Sequence, residues 1–95
     1  MTRLTWDDLI GKLHAALLES EHSLTPDDVE NIWELIDVGE PGVAFELLCS
    51  QLYEYDAAVS PRMLDSLREM GTSMQLKPRQ WEILRVADHD ADAGQ

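Results

Sequence analysis

The chain has 95 residues, with seven Lys and Arg against nineteen Asp and Glu, a formal net charge of −12. That length makes one domain, large enough to bury roughly 60–70% of the surface its unfolded chain exposes and too small for a deep two-lobed active site. Such a charge repels phosphate backbones and anionic lipid headgroups and draws in basic proteins, so nucleic acid and membrane surfaces are excluded as expected ligands.

The charge is concentrated. Between Lys12 and Arg62 no Lys or Arg occurs, and the only other basic side chains are His14 and His22. Eleven carboxylates fall in that interval: Glu19, Glu21, Asp27, Asp28, Glu30, Glu34, Asp37, Glu40, Glu46, Glu54 and Asp56. The longest run free of Asp, Glu, Lys and Arg is seven residues, far below the ~20 apolar residues of a membrane-spanning helix. The N-terminal MTRLTWDD has no apolar signal core, and lone Cys49 forms no internal disulfide. The expectation is a cytoplasmic protein held by packing alone.

In chain order, Thr5 caps a stripe of Trp6, Leu9, Ile10, Leu13 and Leu17, which predicts a helix from about 6 to 20, weakened by Gly11. Thr25-Pro26-Asp27-Asp28 then offers a hydroxyl cap, a proline at the first helical position and carboxylates against the positive dipole end. Val29, Ile32, Trp33 and Ile36 are its expected buried stripe and Gly39 its stop. Opposite them Asp27, Glu30, Glu34 and Asp37 align at spacings of three and four as one acidic ridge.

Pro41 starts a third helix, with Ala44, Leu47, Leu48, Gln51, Leu52 and Tyr55 on its expected inner face and Phe45 and Cys49 on the shoulder. Tyr53 and Tyr55 lie about 200° apart around that helix, so they cannot share one core. Tyr55 is expected inside. Tyr53, with Glu46, Ser50 and Glu54, is expected outside. Ser60-Pro61 opens a fourth helix with Met63, Leu67, Met70 and Met74 as a soft stripe interrupted by Gly71, and Lys77-Pro78 opens a short fifth element carrying Trp81 and Leu84. No segment alternates with period two, and the links are short. The expected fold is all-α: one small bundle of four to five short helices over residues 1–87, followed by a disordered acidic tail at 88–95.

Catalytic and metal chemistry find little support. His14 and His22 are eight apart, with no second His at the spacing that places two ligands on one helix face. Asp88, His89, Asp90 and Asp92 would lie on a tail without fixed geometry, so no metal and no cofactor is expected. Exposed carboxylates lack the opposition that separates acid from base, and Cys49 lies among anions that disfavour its thiolate. A non-enzymatic binding protein is therefore expected. An acidic helix face is by default a solvated face. This one lacks basic residues to pair with, and Tyr53 supplies an aromatic of the kind that anchors protein interfaces.

Residues 24–56, LTPDDVENIWELIDVGEPGVAFELLCSQLYEYD, resemble the central block of the MafI-type immunity proteins, which are encoded beside secreted polymorphic toxins in bacteria. The likeness runs through Thr25-Pro26, Glu34-Leu35-Ile36-Asp37, the Gly39-Glu40 and Gly42 turn, and Glu46 to Asp56. The later MGTSMQLKPRQWEIL is similar in layout, a helix followed by a Pro and Trp element. The resemblance implies a small cytoplasmic protein that binds the toxic C-terminal domain of a cognate effector and neutralises it. A nuclease with a basic cleft would suit an anionic inhibitor. The surface positions it carries over as partner-binding are Asp27, Glu30, Glu34, Asp37, Glu40, Glu46, Tyr53, Glu54 and Asp56, of which Asp27, Glu40 and Asp56 also sit where helix ends and turns need them. A competing reading with the same charge map is a small acidic adaptor or regulatory subunit for a basic protein unrelated to toxins. Self-association through the Met-rich fourth helix is opposed by the net charge, leaving a monomer or weak homodimer.

Overall fold

Hydroxyl caps set three of the helix starts. In the computed structural model, which describes residues 3–87, Thr5 Oγ1 accepts from the Asp8 N–H at 3.1 Å ahead of α1 (Trp6–Ser20). Thr25 Oγ1 accepts from the Asp28 N–H at 3.1 Å while Asp28 Oδ2 accepts from the Thr25 N–H at 3.2 Å, a reciprocal capping box that opens α2 (Pro26–Asp37). Ser60 Oγ accepts from the Met63 N–H at 3.0 Å ahead of α4 (Pro61–Ser73). A single 3₁₀ turn, Glu21–Ser23, joins α1 to α2, and α3 (Pro41–Glu54) starts on Pro41 without a side-chain cap. The acidic tail expected at 88–95, with its His89, lies outside the described residues.

Three helices end in the same way. Gly39 (φ +81°), Asp56 (φ +52°) and Gln75 (φ +60°) follow the last residues of α2, α3 and α4 in the left-handed conformation. At each, the next N–H reaches back five residues: Glu40 to the Leu35 carbonyl, Ala57 to Leu52, Leu76 to Gly71, at 2.8–2.9 Å. This double-bonded stop satisfies the last helical carbonyls and suits glycine best. Two of the three positions are not glycine: Asp56 and Gln75 hold the left-handed conformation that side chains other than glycine rarely adopt.

α1 lies against α2, α3 and α4, while the short α5 (Arg79–Glu82) closes over α3 and α4. A two-residue parallel pairing of β1 (Ala58–Val59) with β2 (Arg85–Val86), extended by the Ala87 N–H to the Val59 carbonyl at 2.7 Å, fastens the segment after α5 to the α3–α4 link. The fold is thus all-α apart from that clasp. Two residues per strand are too few to display an alternating pattern, which is why no strand is legible beforehand.

The core is Leu9, Leu13 and Leu17 of α1, Ile32 and Ile36 of α2, Leu48 and Leu52 of α3, Met63, Leu67 and Met70 of α4, and Trp81 with Leu84. The inner face of α3 differs from expectation. Phe45 and Cys49, placed on its shoulder, are fully buried, whereas Leu47 and Gln51 are half-buried and Tyr55 is 40% exposed. The cause is Trp81, whose ring meets Phe45 edge to face at a centroid distance of 6.0 Å and covers the shoulder. Gly71 supplies the other wall. A Cβ there would collide with the Trp81 ring, so what looks like an interruption of α4 is the seat for the indole. Trp6 and Trp33, expected in buried stripes, are 57% and 40% exposed. Trp6 stands in the first turn of α1 at the edge of the molecule, and Trp33 lies about 100° around α2 from Ile32 and so onto its flank.

Candidate functional site

All nine residues expected to bind a partner are exposed, but they fall into two surfaces of different character. The first is the outer side of α2. Asp27, Glu30, Glu34 and Asp37 run along it, and none has an ion-pair partner among the described residues. Lys12, the one lysine of α1, turns the other way and pairs with Glu69 of α4 at 3.3 Å. Beside the ridge Trp33 stacks on His14 of α1, ring centroids 4.4 Å apart and 14° from parallel. His14 Nε2 lies buried beneath without a hydrogen-bond partner among the described residues. An open depression of about 470 Å³, lined by Glu21, Leu24, Pro26, Val29, Glu30 and Trp33, continues from the indole toward the α1–α2 turn.

The neighbouring carboxylate Asp28 points the opposite way and is buried. Its Oδ2 accepts from the Tyr55 hydroxyl at 2.6 Å as well as from the Thr25 N–H, and its Oδ1 accepts from Gln51 Nε2 at 2.9 Å. The Tyr55 bond, joined by those from Gln51 and Thr25, holds the Asp28 carboxyl below the ordinary carboxylate value against an opposing push from burial. The same bond, with burial and the Asp28 charge, raises the Tyr55 phenol above its ordinary value. Tyr55 is therefore a polar strut from the end of α3 to the start of α2. The expectation that it enters the core is corrected: α3 runs past the core at its last turn, and an unsatisfied buried hydroxyl there would be costly when a carboxylate lies in reach.

The second surface is the outer side of α3. Tyr53 is 57% exposed, as expected, yet it shares a depression of about 360 Å³ with Glu46, Ser50, Lys77, Arg79 and Ile83. Glu46 Oε2 accepts from Gln80 Nε2 at 3.4 Å. Asp56 Oδ1 accepts from Arg85 Nε at 3.2 Å, and the Asp56 carbonyl accepts from Arg85 Nη2 at 2.7 Å. The returning chain thus brings Lys77, Arg79 and Arg85 to a face that reads as purely acidic in sequence. Asp56 is spoken for by its turn and its ion pair, and Glu40, the residue immediately before α3, caps nothing through its side chain. Glu54 is exposed and makes no ion pair among the described residues.

Trp33 escaped the expected partner-binding set. The signal was present, because Glu30 is three residues before it and Asp37 four after, which places all three on adjoining strips of α2. No sequence signal placed Lys77 and Arg79 beside Tyr53. Cys49 lies under this second surface, its thiol pushed up to about 12 by burial first and by the Glu46 charge second, so it holds its proton at neutral pH. Among the described residues no group of three His, Cys, Asp or Glu side chains is arranged to hold a metal ion, and no helix is long and apolar enough to cross a membrane. Compared with protein-family models, curated proteins and solved structures, the chain finds no match.

Proposed function

We propose that this chain is an immunity protein of the MafI type, a cytoplasmic, non-catalytic inhibitor that binds the basic C-terminal domain of a cognate secreted toxin. The observation that carries the reading is the α2 ridge, four exposed carboxylates at helical spacing with no cation within ion-pairing distance among the described residues. Surface carboxylates in a protein selected only for solubility are interspersed with Lys and Arg. A ridge left unpaired repels itself and is relieved when a basic surface docks on it. That attraction steers encounter and selects against anionic competitors. Carboxylates at intervals of three and four residues are about 5–6 Å apart at Cβ, so the four form one continuous anionic strip, complementary in charge to a basic phosphate-binding cleft. A nuclease domain is accordingly the toxin class that this charge fits best.

The test is a tagged pull-down from the native bacterial lysate at low salt, followed by release at high salt and an inhibition assay on what is released. The expected result is one basic toxin domain in stoichiometric amount, neutralised by the chain. Replacing Asp27, Glu30, Glu34 and Asp37 together by Asn and Gln is expected to weaken the complex by at least about 100-fold at low salt, given the strength of paired interfacial charges. Recovery of a housekeeping protein instead would establish the adaptor reading and overturn this one. An affinity flat between low and moderate salt would remove the ridge from the contact.

A further inference from the structure

Exposed apolar side chains occur on several faces of this molecule, and one of them, Trp33, stands beside the unpaired acidic ridge. Trp33 is 40% exposed and Leu18, on the outer side of α1, 58%. Val29 and Pro26 line the depression that runs from Trp33 toward the α1–α2 turn. The charged side chains lining it, Glu21 of the 3₁₀ turn and Glu30, are both anionic, Asp37 follows Trp33 one turn on, and Lys12 is drawn off toward Glu69. A rim with no Lys or Arg among the described residues, around a tryptophan, selects a partner segment with the complementary pattern. We infer that the outer face of the α1–α2 hairpin, centred on Trp33, is the primary docking surface, and that its occupant is a basic amphipathic segment of a partner protein that lays apolar side chains on Trp33 and Val29 with Lys or Arg to either side.

Three observations favour this face over the Tyr53 side. Tryptophan with flanking carboxylates combines a large apolar anchor with charges that also attract a cation to the ring face. Its indole is already seated flat on His14 at 4.4 Å, so little rotamer freedom is lost when a partner docks. The Tyr53 depression carries Lys77 and Arg79, which repel the same partner. The assignment rests on the electrostatic part of the proposed function, but it specifies a location and a pattern that a uniformly acidic surface would not.

The experiment uses the full chain and three synthetic helical peptides of 18 residues: one of Leu and Lys with its leucines on one face, one of Leu and Glu with the same layout, and one of Lys and Ser without leucine. Binding is followed by the indole and backbone amide NMR signals. The Leu/Lys peptide is expected to bind at least tenfold tighter than either control and to shift the Trp33 indole and the α2 amides first. Trp33→Ser and the double variant Glu30→Lys, Asp37→Lys are each expected to weaken it at least tenfold, while Tyr53→Ala changes it less than twofold. Equal binding of the Lys/Ser peptide, or a larger loss with Tyr53→Ala than with Trp33→Ser, would overturn the assignment. Failure here leaves the immunity proposal standing if the captured toxin is still bound by Trp33→Ser. Failure of the toxin pull-down leaves this surface standing if the peptide result holds.

Discussion

The outer sides of α2 and α3 look alike in sequence and differ in the folded protein. Both carry carboxylates at helical spacing and both expose an aromatic, Trp33 on one and Tyr53 on the other. The α2 side keeps its charge because none of its ridge carboxylates has an ion-pair partner among the described residues. The α3 side receives Lys77, Arg79 and Arg85 from the segment that Trp81 anchors against Phe45 and Gly71. A charge run therefore describes a surface only after the chain that folds back on it has been placed. The local helix fixes where each carboxylate points, and remote residues fix whether it is neutralised.

The anchor is the strongest way to break the difference. Trp81→Ala is expected to lower unfolding free energy by about 3–5 kcal/mol, since a large buried aromatic leaves a cavity between Phe45 and Gly71. Urea melts measure this. The same change loosens the segment that holds Lys77 and Arg79 beside Tyr53. A loss below about 1 kcal/mol would mean that the returning segment is held by something other than the indole.

Within α2, the buried and exposed carboxylates divide next. Asp28→Ala removes three side-chain hydrogen bonds to a charged acceptor and is expected to cost about 2 kcal/mol, whereas Asp27→Ala should stay within about 0.5 kcal/mol. The acid dependence has a definite sign. The folded Asp28 carboxyl titrates below the ordinary value of 3.8, so its stabilisation is present above that pH and is lost as pH falls from 3.8 through the folded value. The stability gap between the native chain and Asp28→Asn should accordingly be constant from pH 7 to about 5 and shrink below pH 3.8. A gap that persists unchanged at lower pH would assign the effect to packing. Because Tyr55 is raised, its share is present up to pH 10.0 and is lost at higher pH as the phenol ionises.

The smallest expected effect sharpens the comparison from the other side. Tyr53→Ala should change stability by less than about 0.5 kcal/mol, because the ring is mostly exposed and makes no hydrogen bond among the described residues. If instead differential scanning calorimetry registers a loss of several degrees, the depression beside Lys77 and Arg79 is a packed contact and Tyr53 is structural.

Much of the architecture is legible in the sequence. Thr5, Thr25-Pro26 and Ser60-Pro61 mark helix starts through bonds within one turn, Gly39 marks a stop, and the period of Leu9, Leu13 and Leu17 marks a buried face. These are short-range effects, and sequence spacing measures short range directly. The exposure of all nine candidate contact residues and the ridge from Asp27 to Asp37 were read the same way. The placement of Phe45 and Cys49 in the core, the seating of Trp33 on His14, the strut from Tyr55 to Asp28 and the cations beside Tyr53 were decided elsewhere. Each depends on a group brought from 10 to 40 residues away: Trp81 onto Phe45 and Gly71, His14 under Trp33, Asp28 beneath Tyr55, Lys77 and Arg79 beside Tyr53. Helical period gives the direction of a side chain around its own axis, and only the packing of one helix on another decides what stands in that direction.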